Sequence, residues 1–209
     1  MVLLPAAIFF KSNIMSDTEN KIKKATIDLL LKEGNFGFTM YDVAERSKAN
    51  RTVIHYYFRS RDNLQAIVTK EILTTLVQPR YETLTCKDDL KSKILNFLEE
   101  SDRICKLYPY IDVFMMVRHK VSHDLQKFFQ DILESFKDLL SEVQEAIDRK
   151  EINYPDAQVF LSDLFSLSSF SYIFSNFSRS LDIPVHRKSI FDDCKTKNGR
   201  ILDILFGRN

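Results

Sequence analysis

Arg51, Thr52 and His55 open the segment RTVIHYYF, directly behind Asn50. An arginine guanidinium can donate two parallel hydrogen bonds to guanine O6 and N7, and threonine and histidine can add shorter contacts to base edges. Taken singly, Arg46, Lys48 and Arg51 also suit a solvated helix surface. The residues around them decide between these readings.

Thr39 caps a helix through its hydroxyl, with Asp42 carrying negative charge into the positive end of the helix dipole. Met40, Val43, Ala44 and Ser47 form the inner face of that short helix, which ends near Ser47. Lys48 and Ala49 make a turn, and Asn50 caps the next helix, about 51–57, with Ile54 and Phe58 facing inward. Ser60 caps a further helix that begins Arg61-Asp62-Asn63-Leu64. Before all of these, residues 19–33 read as a helix with Ile22, Ala25, Leu29 and Leu30 on one face and Gly34 at its end. Two short helices joined by a tight turn bury little area alone, so the flanking helices must complete their core. This arrangement is a helix-turn-helix, whose second helix enters the major groove.

Here the sequence resembles the TetR-type transcription regulators. The resemblance rests on Ile22, Ala25, Thr26, Leu29, Leu30, Gly34, Thr39, Val43, Ala44, Tyr57, Phe58, Ser60, Arg61 and Leu64, and it covers about residues 20–70. It implies that Arg51, Thr52 and His55 read bases. It also implies that Thr39, Tyr56, Tyr57 and Arg61, joined by Lys48, hold phosphate, which positions the protein without reading sequence. Two positions depart from the family pattern. Lys48 stands where a glycine relieves strain at positive φ, which predicts a costlier or slightly reshaped turn. His55 replaces a tyrosine, which bears on the operator sequence. The resemblance implies a repressor that leaves double-stranded operator DNA when a small-molecule effector binds. The alternative is a helical protein-interaction module that has lost sequence-specific DNA binding.

Charge distribution favours the first reading. Residues 20–65 hold nine Lys and Arg against five Asp and Glu, a local excess of +4, whereas the whole chain is only +1. A basic head on an acidic body suits phosphate attraction without general stickiness.

The rest of the chain reads as helices near 61–77, 88–107, after Pro109, 122–149, 155–180 and 186–206, the first of them breaking before Pro79. The expected fold is all-α with about nine helices: a flexible extension over 1–18, a helix-turn-helix domain over 19–65, and an effector-binding and dimerisation domain over 66–209. Only four Gly and five Pro in 209 residues suit long helices. The segment 156–180 is apolar nearly all round, interleaved with serines, so it must be covered on every side. A monomer's own bundle could cover it. The resemblance implies instead a homodimer through the last two helices, with Ile190, Phe191, Ile201, Leu202, Leu205 and Phe206 completing the interface. Phe97, Phe114, Met115, Met116, Phe128 and Phe165 are candidates for an effector pocket, since aromatics and methionines make adaptable apolar walls. The same stripes suit plain core, and no charged anchor is legible among them.

Several classes are excluded or disfavoured. There is no glycine-rich phosphate loop, no HExxH, no GxSxG and no Cys/His spacing of a known kind, so neither an enzyme nor a cofactor is expected. His119 and His123 are spaced i, i+4 without an evident third ligand, so no metal is expected. The cysteines, at 86, 105 and 194, are odd in number and read as reduced cytoplasmic thiols. No apolar run reaches the roughly 20 residues of a membrane span. The first 14 residues lack the basic lead and cleavage site of a signal peptide. They read as an arm or an upstream start, with Met15 as an alternative initiator.

Overall fold

The computed structural model describes residues 6–118, 123–180 and 194–207, with side chains over 17–118, 125–177 and 196–207. All regular structure among them is helical. The chain divides into two compact units, Met1–Ile72 and Leu73–Asn209.

The first unit holds α1 (Ala6–Leu31), α2 (Met40–Ser47), α3 (Arg51–Phe58) and α4 (Arg61–Ile72). Helix α1 begins well before residue 19, so the expected extension over 1–18 is helical from Ala6 onward. No Gly or Pro lies between Pro5 and Gly34, and nothing in the backbone stops the helix there. Its C-terminus does stop where the sequence implies. Gly34 takes φ 68°, and the Asn35 amide reaches back to the Leu29 carbonyl at 2.9 Å. That bond caps an otherwise open carbonyl of the last turn, with Gly34 supplying the left-handed step. Ile22, Leu30, Phe38, Val43, Ile54 and Phe58 are all buried, and Leu64, Val68 and Ile72 of α4 complete the core. The whole of α4 belongs to this unit, which therefore ends at Ile72, beyond the expected boundary at 65. The reason is apolar spacing: Leu64, Val68 and Ile72 stand four residues apart on one face.

In the second unit a π-helical turn (Leu73–Val77) runs directly into α5 (Gln78–Glu82). The expected break before Pro79 does not occur. Proline lacks the amide and its ring would clash with the carbonyl four residues back in a regular helix. The wider π turn immediately before it absorbs both defects. Then come α6 (Leu90–Leu107), α7 (Ile111–Arg118), α8 (His123–Ser135), α9 (Lys137–Asp148), α10 (Ala157–Ser180) and α11 (Cys194–Phe206). Asp89 caps α6 by accepting from the Ser92 amide at 3.1 Å. Only Phe136 separates α8 from α9. Residues 186–193 of the expected last helix lie outside the described residues.

The core of this unit is aromatic. Phe97, Phe136 and Phe160 are buried among Leu98, Leu164 and Leu205, and α10 packs against α6, α9 and α11. Buried polar groups join the same helices. Asp102 on α6 accepts from the Tyr172 hydroxyl of α10 at 2.6 Å and from Asn198 Nδ2 of α11 at 3.0 Å. Lys197 on α11 also donates to it and lies 4.5 Å from the centre of the Tyr172 ring. Buried carboxylates persist when every lone pair meets a donor.

Candidate functional site

The helix-turn-helix is built by local capping. The Asp42 amide donates to Thr39 Oγ1 at 3.2 Å, and the Thr39 amide donates back to Asp42 Oδ2 at 2.7 Å. This reciprocal capping box fixes the start of α2. At its other end Lys48 takes φ 57°, ψ 21°. The left-handed step a glycine would make cheaply is thus kept with a lysine. The cost of a Cβ in that region is borne there. Ser47 steadies the corner, donating to the Val43 carbonyl at 2.6 Å and accepting from the Ala49 amide at 3.3 Å. Asn50 then caps α3, its Oδ1 accepting from the Thr52 amide at 2.8 Å.

Helix α3 has two clearly different faces. Ile54 and Phe58 are fully buried, whereas Arg51, Thr52, His55 and Tyr56 are exposed, Tyr56 by 61%. His55 Nδ1 lies 3.0 Å from the Arg59 carbonyl. A carbonyl only accepts, so Nδ1 is the donor in this bond, which leaves Nε2 for an outside partner. Tyr57 is half-buried, its ring edge-on to Tyr56 at 5.4 Å. Partial desolvation, with the nearby charge of Glu19 and then Tyr56, raises the Tyr57 hydroxyl above its ordinary pKa and keeps it a donor.

Arg59 closes α3 at φ 63°, ψ −52°. The Ser60 amide bonds the Phe58 carbonyl at 2.6 Å across it, a γ-turn of the rare positive-φ kind. The turn before α3 and the end of α3 thus each carry a basic residue at positive φ, Lys48 and Arg59. Arg61 differs from the other expected phosphate ligands. Its Nη2 donates to the Phe36 carbonyl at 3.1 Å and its guanidinium lies 5.1 Å from the centre of the Phe38 ring. It ties the 36–38 turn to the start of α4.

The second unit contains a cavity of about 700 Å³. Met115, Met116 and Phe165 line it, together with Tyr81, Phe129 and Phe170. Three expected lining residues stand elsewhere. Phe97 and Phe114 are fully buried core. Phe97 supports the wall from behind, edge-on to Phe165 at 5.6 Å. Phe128 borders a separate depression with Gln78 and Asp131. Its neighbour Phe129 faces the cavity, because one residue along a helix turns the side chain by about 100°.

An anchor not legible in the sequence completes the cavity. Arg80 and Asp112, 32 residues apart, form an ion pair at 2.7 Å with side chains 4% and 13% exposed. Arg80 Nε donates to Ser101 Oγ at 2.8 Å and Nη2 to Ser169 Oγ at 3.2 Å. The Cys105 thiol reaches Asp112 Oδ2 at 3.5 Å. Burial alone would raise the Asp112 carboxyl. The charge of Arg80 and hydrogen bonds from Arg80, Ser169 and Cys105 outweigh it and hold the group below its ordinary value. Burial, with the Asp112 charge, pushes the Cys105 thiol well up, so it stays protonated. Arg80 carries no motif, and only the π turn before Pro79 and the packing of α6, α7 and α10 bring its partners together.

The expected dimer residues divide. Ile201 and Leu205 are buried within the unit's own core, as are Phe160, Leu161 and Leu164. The reason is that α11 packs its Ile201/Leu205 face against α6 and α10 of the same chain. Leu202 and Phe206 pack partly buried against that core. Ile190 and Phe191 lie outside the described residues, as do the side chains of His119 and His123. Phe170, Phe174 and Phe177 on α10 and Ile204 on α11 stay exposed by 42–63%. Among the described residues no helix is long and apolar enough to cross a membrane.

No protein-family profile and no curated protein sequence matches this chain. Solved structures do match along nearly its whole length. A TetR family transcription regulator from Marinobacter aquaeolei VT8 is similar with a TM-score of 0.62 at 11% identity, over 92% of this chain and 97% of that one. HlyIIR, a hemolysin II transcriptional regulator, has a TM-score of 0.61 at 18% identity, over 93% and 99%. A transcriptional regulator of the TetR/AcrR family from Thermobifida fusca YX-ER1 has a TM-score of 0.58 at 16% identity, over 92% and 100%. With its helix-turn-helix unit followed by a larger helical unit, the chain has the fold of the TetR-type transcription regulators.

Proposed function

We propose that the protein is a DNA-binding transcription regulator, a homodimeric repressor in the cytoplasm that a small-molecule effector releases from its operator. One observation carries the DNA-binding reading: α3 buries Ile54 and Phe58 while turning Arg51, Thr52 and His55 outward at its N-terminal half. That is the half of a recognition helix that meets base edges in the major groove. In this reading Arg51 binds guanine through both arms of its fork. His55 meets a base edge through Nε2, and Thr52 adds a single bond. Thr39, Lys48, Tyr56 and Tyr57 hold phosphate. Arg61 acts differently: its guanidinium is engaged by Phe36 and Phe38, so it steadies the domain.

Two protomers place their α3 helices about 34–36 Å apart, or a multiple of that, on a pseudo-palindromic site. Phe174 and Phe177 of α10, with Ile204, form the dimer face. An effector in the cavity between α5, α7, α8 and α10 binds one conformation better than the other and so lowers operator affinity. The neighbours in fold are transcription regulators, which accords with this role.

The test is an anisotropy titration of the purified protein against DNA from upstream of its own gene, with scrambled competitor, at two salt concentrations. Tight binding that scrambled DNA cannot displace, weakening steeply with salt, is expected. Equal, weak binding to both DNAs, followed by an empty genome-wide binding selection, would refute sequence-specific regulation.

A further inference from the structure

We infer that the cavity of the second unit takes an uncharged, largely apolar ligand with a hydrogen-bond-accepting head. This rests on the reading of that cavity as the effector site. The cavity volume, about 700 Å³, falls within the ordinary range for small-molecule sites. Its walls are aromatic and methionine side chains, and its charged lining consists of one pair, Arg80 and Asp112. The charges of that pair cancel at 2.7 Å.

Both partners are already satisfied inside the protein. Arg80 uses three of its five N–H donors on Ser101, Asp112 and Ser169. Asp112 receives Arg80 on one oxygen and Cys105 on the other. A ligand carboxylate could reach the guanidinium only by sharing or displacing Asp112, leaving one of two anions buried without a counter-charge. A ligand ammonium at Asp112 would meet the same obstacle from Arg80. Either ion would lose its hydration and gain no unmatched partner. An uncharged head loses far less. It can accept from a remaining Arg80 N–H or from the Ser166 hydroxyl, which also lines the cavity. Its tail lies against Tyr81, Phe129, Phe165 and Phe170, where burial of apolar surface drives binding.

The same geometry makes the preference switchable. Asp112→Asn removes one charge with little change of shape and leaves Arg80 unmatched, so the cavity should then favour an anion.

The experiment uses the full-length protein and the neutral fluorophore N-phenyl-1-naphthylamine as probe. Dodecanol, dodecanoate and dodecylamine, alike in chain and different in head, compete for it below their aggregation limits at neutral pH. Dodecanol is expected to compete at least tenfold more tightly than either ion. In Asp112→Asn, dodecanoate should move to first place. Should that variant not fold, the double variant Arg80→Met/Asp112→Leu serves, and dodecanol should stay first in it. Dodecanoate or dodecylamine matching dodecanol on the unaltered protein would overturn the inference, as would failure of all three to displace the probe. Adding the same ligands to the protein–DNA complex separates the two ideas. Preference for dodecanol without any release of DNA would uphold the ligand class and sink the effector reading.

Discussion

Three basic residues around α3 stand in different backbone settings. Arg51 stands on exposed helix, where its fork reaches outward without strain. Arg51→Ala should cost about 1–3 kcal/mol of binding to the preferred site and relax specificity at one base pair. Binding measured on a set of single-base variants checks this, and an equal loss on every sequence would make Arg51 a phosphate ligand. Lys48 combines a charge with φ 57°. Lys48→Gly should stabilise the folded protein by about 1 kcal/mol, because glycine makes the left-handed step without a Cβ penalty. The same variant should bind all DNA sequences more weakly, with the salt slope lower by about one. Denaturant melts and salt titrations give the two readings, and a less stable Lys48→Gly would show that the lysine side chain contributes more to the fold than its backbone costs. Arg59 is the mirror case at the other end of α3, held in a γ-turn by the Ser60 amide.

Among the elements, α2 and α3 were the most legible. Thr39, Asp42 and Asn50 cap by purely local hydrogen bonds, so their types and spacing in the sequence suffice to place the two helices. Thr39→Ala should accordingly lose about 1 kcal/mol of stability, checked by chemical denaturation. A change within a few tenths would mean that Asp42 caps the helix alone. Gly34 at the end of α1 was legible for the same reason. The start of α1 was not, because composition suggested an arm while the chain between Pro5 and Gly34 holds no residue that breaks a helix. Pro79 misled in the opposite direction, since a π turn can carry a helix past a proline at a cost that only the surrounding packing decides. The cavity was half legible. Met115 and Phe165 face it, but Phe97, Phe114 and Phe128 show that aromatic spacing does not tell cavity from core. The Arg80–Asp112 anchor comes from side chains on different helices, and no pattern within one helix encodes such a meeting.

At the scale of the whole molecule, the buried ion pair links stability to acidity. The folded-state pKa of Asp112 lies below its ordinary value of 3.8. A group shifted in that direction contributes its full stabilisation above the unfolded pKa and loses it as pH falls through the folded one. Asp112→Asn should therefore be less stable than the natural protein by about 3–5 kcal/mol at pH 7, since it leaves Arg80 uncompensated. The gap should narrow below pH 3.8 and close in stronger acid. Denaturation curves across this range test it, and a gap independent of pH would place the stability elsewhere. Assembly offers a second test at this scale. Phe174→Glu/Phe177→Glu should convert a dimer into a folded monomer, seen by sedimentation. A natural protein already monomeric at micromolar concentration would instead refute the dimer.

The neutral pair in the cavity wall also has an evolutionary consequence. One nucleotide change at Asp112 exposes a positive charge, and a change at Arg80 exposes a negative one, in each case inside a pocket whose apolar walls are unaltered. The new ligand's own charge would replace the lost partner, and its binding would restore stability by an amount that grows with the logarithm of its concentration. Descendants of such a gene could move between neutral, anionic and cationic signals by single steps, each surviving only in cells where its signal is abundant.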